Sequence, residues 1–270
     1  MSESTPVTDE KNVNVRNVRG IHMRLMGGNR SLDLCSEMNY ETEVLDLIDA
    51  QDKGTVFYDL GACEGRFSIY AALKGLKVYA FEPDPNNFDY LNKNKNLNKL
   101  GDEQLQSFNL ALGESDRVGT LKIGQPWPGG HQKVIENPHV RADLNFNFKE
   151  RVEIEVVALD KFIQRAGLCL PHCLKIDIDG SERAFISGAG ASLIGSELKT
   201  LIIELETDDP NYVWIVDKLE GAGFHKASQH PIPNEPNLFF RKTIRDQYCF
   251  AAMIPGAESQ GVFRQGLNGH

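Results

Sequence analysis

The hydrophobic pattern of the chain changes repeatedly between short apolar runs and amphipathic stretches. Runs such as Val56-Phe57-Tyr58 and Leu201-Ile202-Ile203 have no polar face, which is typical of strands buried on both faces of a parallel sheet. We predict such strands at 55–60, 77–82, 107–112, 174–178 and 200–206, two last strands at 224–228 and 238–241, and helices at 41–50, 66–74, 86–97, 160–166, 182–189 and 212–222. Strands that alternate with helices predict an α/β fold whose mostly parallel sheet carries helices on both faces.

The ends and the middle of this pattern predict the domain organisation. Residues 1–50 are expected to form a polar leader, a small hairpin (13–18 with 21–25) and a helix. The main domain is expected at 51–242, with an insertion at 118–157 in which strands at 118–123 and 152–159 flank a loop rich in glycine and proline. The tail, 243–270, has no clear assignment, although we expect the apolar stretch 250–254 to pack against the body.

Composition narrows the function classes. The chain has 270 residues, 41% hydrophobic and 25% charged, which suits one large globular domain. Its net charge of −9 disfavours a nucleic-acid partner, because a phosphate backbone requires a basic surface. The five cysteines form no CxxC pair, and we find neither an apolar signal segment nor an apolar run of roughly 20 residues. We therefore expect a reduced, cytoplasmic protein without a membrane span.

One loop carries the strongest chemical signal. The segment Asp59-Leu60-Gly61-Ala62-Cys63-Glu64-Gly65 lies between the first buried strand and a helix, at the sheet edge where open α/β sheets bind nucleotides. Glu82 ends the next strand, where a carboxylate accepts hydrogen bonds from both ribose hydroxyls of an adenosine. The alternative is a purely structural turn. The candidate cofactor-binding residues here are Asp59, Gly61, Ala62, Gly65 and Glu82.

Two adenosine cofactors fit this layout, and the loop distinguishes them. A dinucleotide-binding loop needs G-x-G-x-x-G so that bare N–H groups reach a pyrophosphate, whereas this loop has Gly61 and Gly65 and carries the carboxylate of Glu64. A negative charge beside a pyrophosphate is repulsive, but it suits the sulfonium cation of S-adenosylmethionine. The loop therefore favours S-adenosylmethionine over NAD.

Further carboxylates follow the later buried strands. Asp177 and Asp179 end one strand and Glu204 and Glu206 end another, and side chains two positions apart share a face. Such a group at the carboxyl edge of the sheet suits a cationic methyl donor. It would also suit a divalent cation, so Asp177, Asp179 and Glu204 are weak candidate metal ligands, although we expect no metal. The alternative is solvated strand ends and helix caps.

Five segments, in this order and spacing, resemble the FkbM-type methyltransferases. They are VFYDLGACEGRFS (56–68), YAFEPDPNNFDYLNKNKNLN (79–98), NLALGE (109–114), LKIDIDGSERAFISGA (174–189) and LIIELE (201–206). The late segment 237–241 is similar to that family's last strand, and the resemblance covers roughly 56–242. It implies a Rossmann-like class I methyltransferase fold with a seven-stranded sheet and an antiparallel last strand. Family members usually carry asparagine where Cys63 stands and a Glu-Gly pair where Asp179-Gly180 stands.

The resemblance also implies residue roles and an activity. Gly61 and Gly65 would line the methionine part of the donor, Glu82 would bind the ribose, and Asp177 would lie near the transferring methyl group. The residues implied around the adenosine are Phe81, Pro83, Asn109, Ala111 and Leu112. Family activity is mostly O-methylation, so the expected acceptor is a hydroxyl of a small molecule, a sugar or a lipid-linked compound.

A hydroxyl acceptor needs a base within hydrogen-bond reach. The candidate catalytic residues are Asp177 and His131, and His131 lies with Trp127 in the insertion that we expect to overhang the crevice. The alternative for His131 is a solvated surface loop. Alternative functions for the chain are a NAD-dependent oxidoreductase, an aminopropyl transferase and a non-catalytic binding protein with a degenerate methyltransferase fold.

Overall fold

The structure is a computed structural model that describes residues 12–140, 144, 146–227 and 237–242. Its strands are β1 (Val13–Val18), β2 (Ile21–Met26), β3 (Val56–Leu60), β4 (Lys77–Phe81), β5 (Leu105–Phe108), β6 (Ala111–Leu112), β7 (Arg117–Ile123), β8 (Lys133–Ile135), β9 (Glu150–Val157), β10 (Cys173–Ile176), β11 (Thr200–Glu204), β12 (Phe224–Lys226) and β13 (Asn237–Lys242). Its helices are α1 (Arg30–Glu37), α2 (Thr42–Asp49), α3 (Arg66–Lys74), α4 (Pro85–Leu97), α5 (Leu159–Ala166), α6 (Glu182–Gly188), α7 (Gly190–Ile194) and α8 (Tyr212–Gly221).

Seven strands form the main sheet in the order β12-β13-β11-β10-β3-β4-β5. The pairs from β11 to β5 are parallel, and β13 is antiparallel to both of its neighbours. The predicted mostly parallel seven-stranded sheet with an antiparallel last strand is therefore confirmed. The order reverses between β3 and β10, and in open α/β sheets such a reversal opens a crevice at the carboxyl ends of the strands.

Alternate residues of the central strands face two separate hydrophobic cores. Tyr58 of β3 packs in one core with α5, α6, α7 and α8. The residue before it, Phe57, packs in the other core with α2, α3 and α4. Because side chains of a strand point alternately to its two faces, this division places helices on both faces of the sheet, as predicted. Both tyrosine and phenylalanine are fully buried, which explains why the strand has no polar face.

The N-terminal hairpin of β1 and β2 packs onto the face formed by α3 and α4. Two asparagines, one on α4 and one just after it, hold the hairpin in place. The N–H of Met26 donates to Asn94 Oδ1 (2.7 Å), and the N–H of Arg24 donates to Asn98 Oδ1 (2.9 Å). These side chains satisfy backbone groups on the outer edge of β2. The hairpin is thus part of the hydrophobic core on the face of the sheet that carries α3, the helix after the loop at 59–65.

The structure corrects one predicted strand and adds a second sheet. The single strand predicted at 107–112 is wrong: β5 ends at Phe108 in the main sheet, and β6 belongs to a four-stranded sheet of order β6-β9-β7-β8. The other three strands of this second sheet, β7, β8 and β9, come from the predicted insertion and the residue before it. The elements that the sequence pattern missed are α1, β8 and α7, because each is short and none has a full period of apolar residues.

Several predictions fall outside the described residues: the leader at 1–11, the strand end at 228 and the tail at 243–270 with its apolar stretch. Within the described ranges, no helix is long and apolar enough to cross a membrane.

Candidate active site

The loop after β3 turns sharply against the end of β10. Gly61 has φ +74°, and a Cβ atom on it would lie 1.8 Å from the carbonyl oxygen of Asp177. The N–H groups of Gly61 and Ala62 both donate to the carbonyl of Phe81, at 3.0 and 3.1 Å. Glycine is therefore required at 61 because the backbones of two strand ends meet there.

Glu82 directly follows β4 and is 4% exposed. Its Oε2 accepts the N–H of Cys63 (2.8 Å) and its Oε1 accepts the N–H of Asp84 (2.9 Å). A carboxylate oxygen has two lone pairs, so each oxygen retains one acceptor position. Burial raises the pKa of Glu82 to about 7, although these N–H groups and Lys133 act to lower it.

A cavity of about 300 Å³ lies at the carboxyl edge of the main sheet. The structure brings nine of the predicted site residues to its wall: Gly61, Ala62, Phe81, Glu82, Pro83, Ala111, Leu112, His131 and Asp177. The wall combines apolar residues, among them Phe81, Ala111 and Leu112, with charged residues, among them Glu82 and Asp177. A pocket that combines apolar side chains with a few convergent polar groups is typical of a cofactor site.

Three predicted cofactor residues support the wall and do not line the cavity. Asp59 is buried and accepts a hydrogen bond from Ser68 Oγ (2.6 Å). Gly65, with φ +89°, is the residue before α3. The amide of Asn109 donates to the carbonyls of Glu82 (2.9 Å) and Pro83 (3.1 Å), so this side chain fixes the backbone next to the acid.

Lys175 of β10 lies between two carboxylates that the sequence placed on different strands. Its ammonium is 3.3 Å from Asp59 Oδ1 and 3.1 Å from Asp177 Oδ2, and it donates to the carbonyl of Gly61 (3.2 Å). Burial acts to lower the pKa of Lys175, but the charges of Asp177 and Asp59 raise it above its ordinary value. The ammonium therefore remains charged and joins the ends of β3 and β10.

Residues 59–226, more than half of the chain, match a family model described as the Methyltransferase FkbM domain. The chain belongs to the FkbM methyltransferase family. It is thus an S-adenosylmethionine-dependent methyltransferase, as the loop and Glu82 predicted.

Two relatives illustrate this membership. The 31-O-demethyl-FK506 methyltransferase FkbM of Streptomyces tacrolimicus is 26% identical over 204 residues, which cover 66% of this chain and 76% of that protein. The crystal structure of Methyltransferase FkbM from Methylobacillus flagellatus KT matches with a TM-score of 0.51 at 16% identity, over 76% of this chain and 47% of that one. The present chain therefore spans about half the length of that structure. At 16% identity, the similarity of the two structures establishes the fold alone. The predicted Rossmann-like class I methyltransferase fold is confirmed.

The acidic residues of this FkbM methyltransferase form one linked group in the cavity wall. Burial acts to raise the pKa of Asp177, but the charge of Lys175 and a hydrogen bond with Glu204 outweigh it and lower the pKa. The charge of Asp177, followed by burial, raises the pKa of Glu204. The ionised form is thus favoured at Asp177 and the protonated form at Glu204. Asp179 accepts the N–H of Lys133 (3.1 Å).

These contacts bear on the weak metal candidates Asp177, Asp179 and Glu204. All three line the cavity. Across the described part of the chain, however, no group of three or more histidine, cysteine, aspartate or glutamate side chains is arranged to hold a metal ion. The cation beside Asp177 is the ammonium of Lys175.

Glu64 does not act as the sequence suggested. Its side chain is 1% exposed, lies outside the cavity lining and has neither carboxyl oxygen hydrogen-bonded. Burial raises the pKa of Glu64 well above its ordinary value. Contrary to expectation, the loop therefore does not present this carboxyl group to the cavity. The acidic character of the cavity comes from Asp177 and Asp179, and from Glu41, which precedes α2.

His131 of the insertion lines the cavity and is exposed. A hydrogen bond to the Cys35 thiol raises the pKa of His131. Trp127 lies outside the lining, where its indole N–H donates to Ser31 Oγ (2.8 Å). At Cys63, the residue that replaces the family's asparagine, the thiol accepts a hydrogen bond from Asn87 Nδ2 (3.2 Å).

Sequence reasoning missed several residues of the cavity wall. They come from the segment before α2, from α3, from α4, from β8 and from β10, and are Glu41, Arg66, Phe67, Asn87, Lys133 and Lys175. One of them had a usable signal: Lys175 is a charged residue inside a predicted buried strand, and such a charge is stable there only with a partner. Of the others, Glu41, Arg66 and Asn87 are polar residues near helix starts. Phe67 is apolar and Lys133 lies in a short strand, and at none of these positions does the sequence pattern carry information about a distant partner.

Proposed function

We propose that the protein transfers the methyl group of S-adenosylmethionine to a hydroxyl oxygen of a small-molecule, sugar or lipid-linked acceptor. The observation that carries the donor site is Glu82, a buried carboxylate whose two oxygens each use one backbone N–H and each keep an acceptor position beside the cavity. Two adjacent ribose hydroxyls are the donors that such a carboxylate matches. The apolar residues Phe81, Ala111 and Leu112 would hold the adenine.

When bound, the cofactor supplies a methyl carbon activated by a positively charged sulfur. The protein contributes orientation, exclusion of water and a place for the acceptor proton. Carboxylates that face the cavity, Asp177 foremost, favour a cationic ligand over the doubly charged pyrophosphate of NAD. The name of the Streptomyces relative, whose substrate is an O-demethyl compound, supports oxygen as the acceptor atom.

The two predicted catalytic residues suit different tasks. The charge of Lys175 lowers the pKa of Asp177, which makes this carboxylate a weak proton acceptor and a good electrostatic anchor. His131 lines the same cavity, its pKa is raised above its ordinary value, and an imidazole is the side chain best suited to accept a proton near neutral pH. We therefore assign proton removal to His131 and positioning of the reacting groups to Asp177.

Calorimetric titration of the whole chain with S-adenosylhomocysteine and with NAD tests the donor site. We expect S-adenosylhomocysteine to bind and Glu82→Gln to weaken this binding by roughly 10- to 100-fold, since an ionised acceptor of two hydrogen bonds is lost. The control is Glu153→Gln, an exposed carboxylate on β9 far from the cavity lining. Tight NAD binding, or full affinity in Glu82→Gln, would overturn the assignment.

A panel of hydroxyl compounds is first screened for an acceptor whose product carries a new O-methyl group. The pH dependence of turnover with that acceptor then tests the catalytic base. A neutral imidazole is required, so kcat should rise with pH through the pKa of His131 and then level off. His131→Gln should lower kcat by about 100-fold or more and abolish this rise. An unchanged profile would remove His131 from the reaction. Methylation at nitrogen or carbon alone would refute the hydroxyl acceptor.

A further inference from the structure

An ion pair closes the charged part of the cavity. The guanidinium of Arg66, the first residue of α3, pairs through Nη2 with Glu41 Oε2, and both side chains line the cavity. Glu41 comes from the N-terminal segment, outside the stretch that matches the family model. The charge of Asp177, the residue after β10, acts on both Glu41 and Arg66.

Arg66 has hydrogen-bonding capacity that the protein does not use. Its side chain is 9% exposed, and its Nη1 is buried without a hydrogen-bond partner. The guanidinium packs over the rings of Tyr40 (4.1 Å to the centroid) and Phe67 (4.6 Å). A buried donor without a partner is costly, and a guanidinium offers its N–H groups as a fork that fits a carboxylate. The Nη1 group of Arg66, in the wall of the cavity, is therefore available to an anionic ligand group.

The other cations in the described cavity wall are already engaged. Lys175 is held by Asp59, Asp177 and the carbonyl of Gly61, and Lys133 pairs with the buried carboxylate of Asp84. Glu41 keeps 25% of its side chain exposed. Burial and the charge of Asp177 raise the pKa of Glu41 to about 7, while the charges of Lys175 and His131 act to lower it. A cation that approached Glu41 would stabilise its ionised form.

We propose that Arg66 and Glu41 together bind the amino-acid end of the methyl donor, Arg66 taking the α-carboxylate and Glu41 the α-ammonium. This inference rests on the proposed function, since it places the adenosine at Glu82. A zwitterion complements an arginine–glutamate pair charge for charge. It satisfies the unused N–H of Arg66 and leaves the net charge of the site unchanged. The N-terminal segment is then part of the cofactor site.

Four ligands separate the two contacts by calorimetry on the whole chain. They are S-adenosylhomocysteine, 5′-methylthioadenosine, which lacks the amino-acid end, and two thioadenosines that carry either an aminopropyl or a carboxypropyl group. We expect the wild type to bind S-adenosylhomocysteine at least about tenfold more tightly than methylthioadenosine. Equal affinities would overturn this inference and leave the donor site at Glu82 standing. A wild type that bound neither ligand would refute the proposed function itself.

Variants then assign the partners. Arg66→Gln should weaken S-adenosylhomocysteine and the carboxypropyl ligand by roughly 10- to 100-fold, and leave the aminopropyl ligand unchanged. Glu41→Gln should weaken S-adenosylhomocysteine and the aminopropyl ligand, and leave the carboxypropyl ligand unchanged.

The matched control is Arg183→Gln, which removes a guanidinium that packs over Trp214 (4.6 Å) and donates to Asn211, outside the cavity. It should alter none of the affinities. Equal losses for all four ligands in Arg66→Gln would show a purely structural role and overturn the assignment. If this variant fails to fold, the comparison of the four ligands on the wild type still decides the question.

Discussion

Gly61 is the residue at which the requirements of the fold and of the ligand coincide. Its backbone touches the carbonyl of Asp177, and its own N–H completes the link to the strand that carries Glu82. A side chain there would collide with backbone, which cannot move aside as a flexible side chain can. The same residue therefore brings β3 and β10 together and exposes the loop to the cavity.

We predict that Gly61→Ala lowers both the stability and the affinity for S-adenosylhomocysteine. The new Cβ would lie 1.8 Å from the Asp177 oxygen, so we expect the free energy of unfolding to fall by about 3 kcal/mol or more and the affinity by about tenfold or more. Urea unfolding and calorimetry measure these changes.

The matched control is Gly167→Ala. Gly167 also has positive φ, but nothing lies within 4 Å of its added Cβ. The free energy of unfolding of this variant should fall by only about 1 kcal/mol, the cost of holding alanine at positive φ. Its affinity for S-adenosylhomocysteine should not change. Equal losses in the two variants would show that contact with Asp177 is unimportant.

At the scale of elements, the second sheet is fastened to the main domain by one buried ion pair. Lys133 of β8 reaches Asp84, whose carboxylate also accepts the N–H of Asn86 and caps α4. The side chains are 8% and 0% exposed. Because Asp84 lies two residues after Glu82, this contact positions Glu82, the proposed ribose-binding acid, relative to the insertion.

We predict that Lys133→Met lowers the free energy of unfolding by about 3–5 kcal/mol, because it leaves a buried carboxylate without its counter-charge. Adding Asp84→Asn should recover a large part of this loss, since asparagine removes the charge and still caps a helix. Denaturant unfolding of the four proteins gives the coupling energy.

An exposed ion pair on α4 provides the control for this comparison of variants. Lys93 and Asp89 form an exposed pair on α4, and Lys93→Met should cost about 0.5 kcal/mol or less. A loss in Lys133→Met that is no larger than this would mean that the buried pair does not fasten the insertion.

At the scale of the whole molecule, the ligand-free protein buries carboxyl groups that prefer to be protonated. Burial raises the pKa of both Glu82 and Glu182 to about 7. A carboxyl group whose folded pKa lies above its unfolded value stabilises the fold at low pH, and this stability is lost as the pH rises through the folded pKa. The crevice is thus maintained for its ligand at a cost in stability.

We predict that the melting temperature of the ligand-free protein falls between pH 6 and pH 8. The double variant Glu82→Gln with Glu182→Gln should show a smaller fall, and Glu153→Gln, which changes an exposed group, should keep the wild-type slope. Thermal unfolding at constant ionic strength measures all three. A melting temperature that rises over this range would contradict the prediction.

How much of this site could be predicted depends on how its residues are arranged in the chain. The glycine loop, Glu82 and Asp177 each follow a buried strand, so the hydrophobic period locates them at one sheet edge without a structure. The break between β5 and β6 was not predictable in this way, because apolar residues continue through 110–112 while the backbone changes sheets.

The sequence alone determined the fold class and located Glu82, the proposed ribose-binding carboxylate, at the end of a buried strand, because these are properties of short segments. The tertiary structure decided which charges meet. It buried Glu64 away from the cavity, placed Lys175 between Asp59 and Asp177, and brought Glu41 to Arg66. These contacts join residues far apart in the chain, and whether such a charge is paired, neutral or exposed depends on packing, which no local pattern encodes.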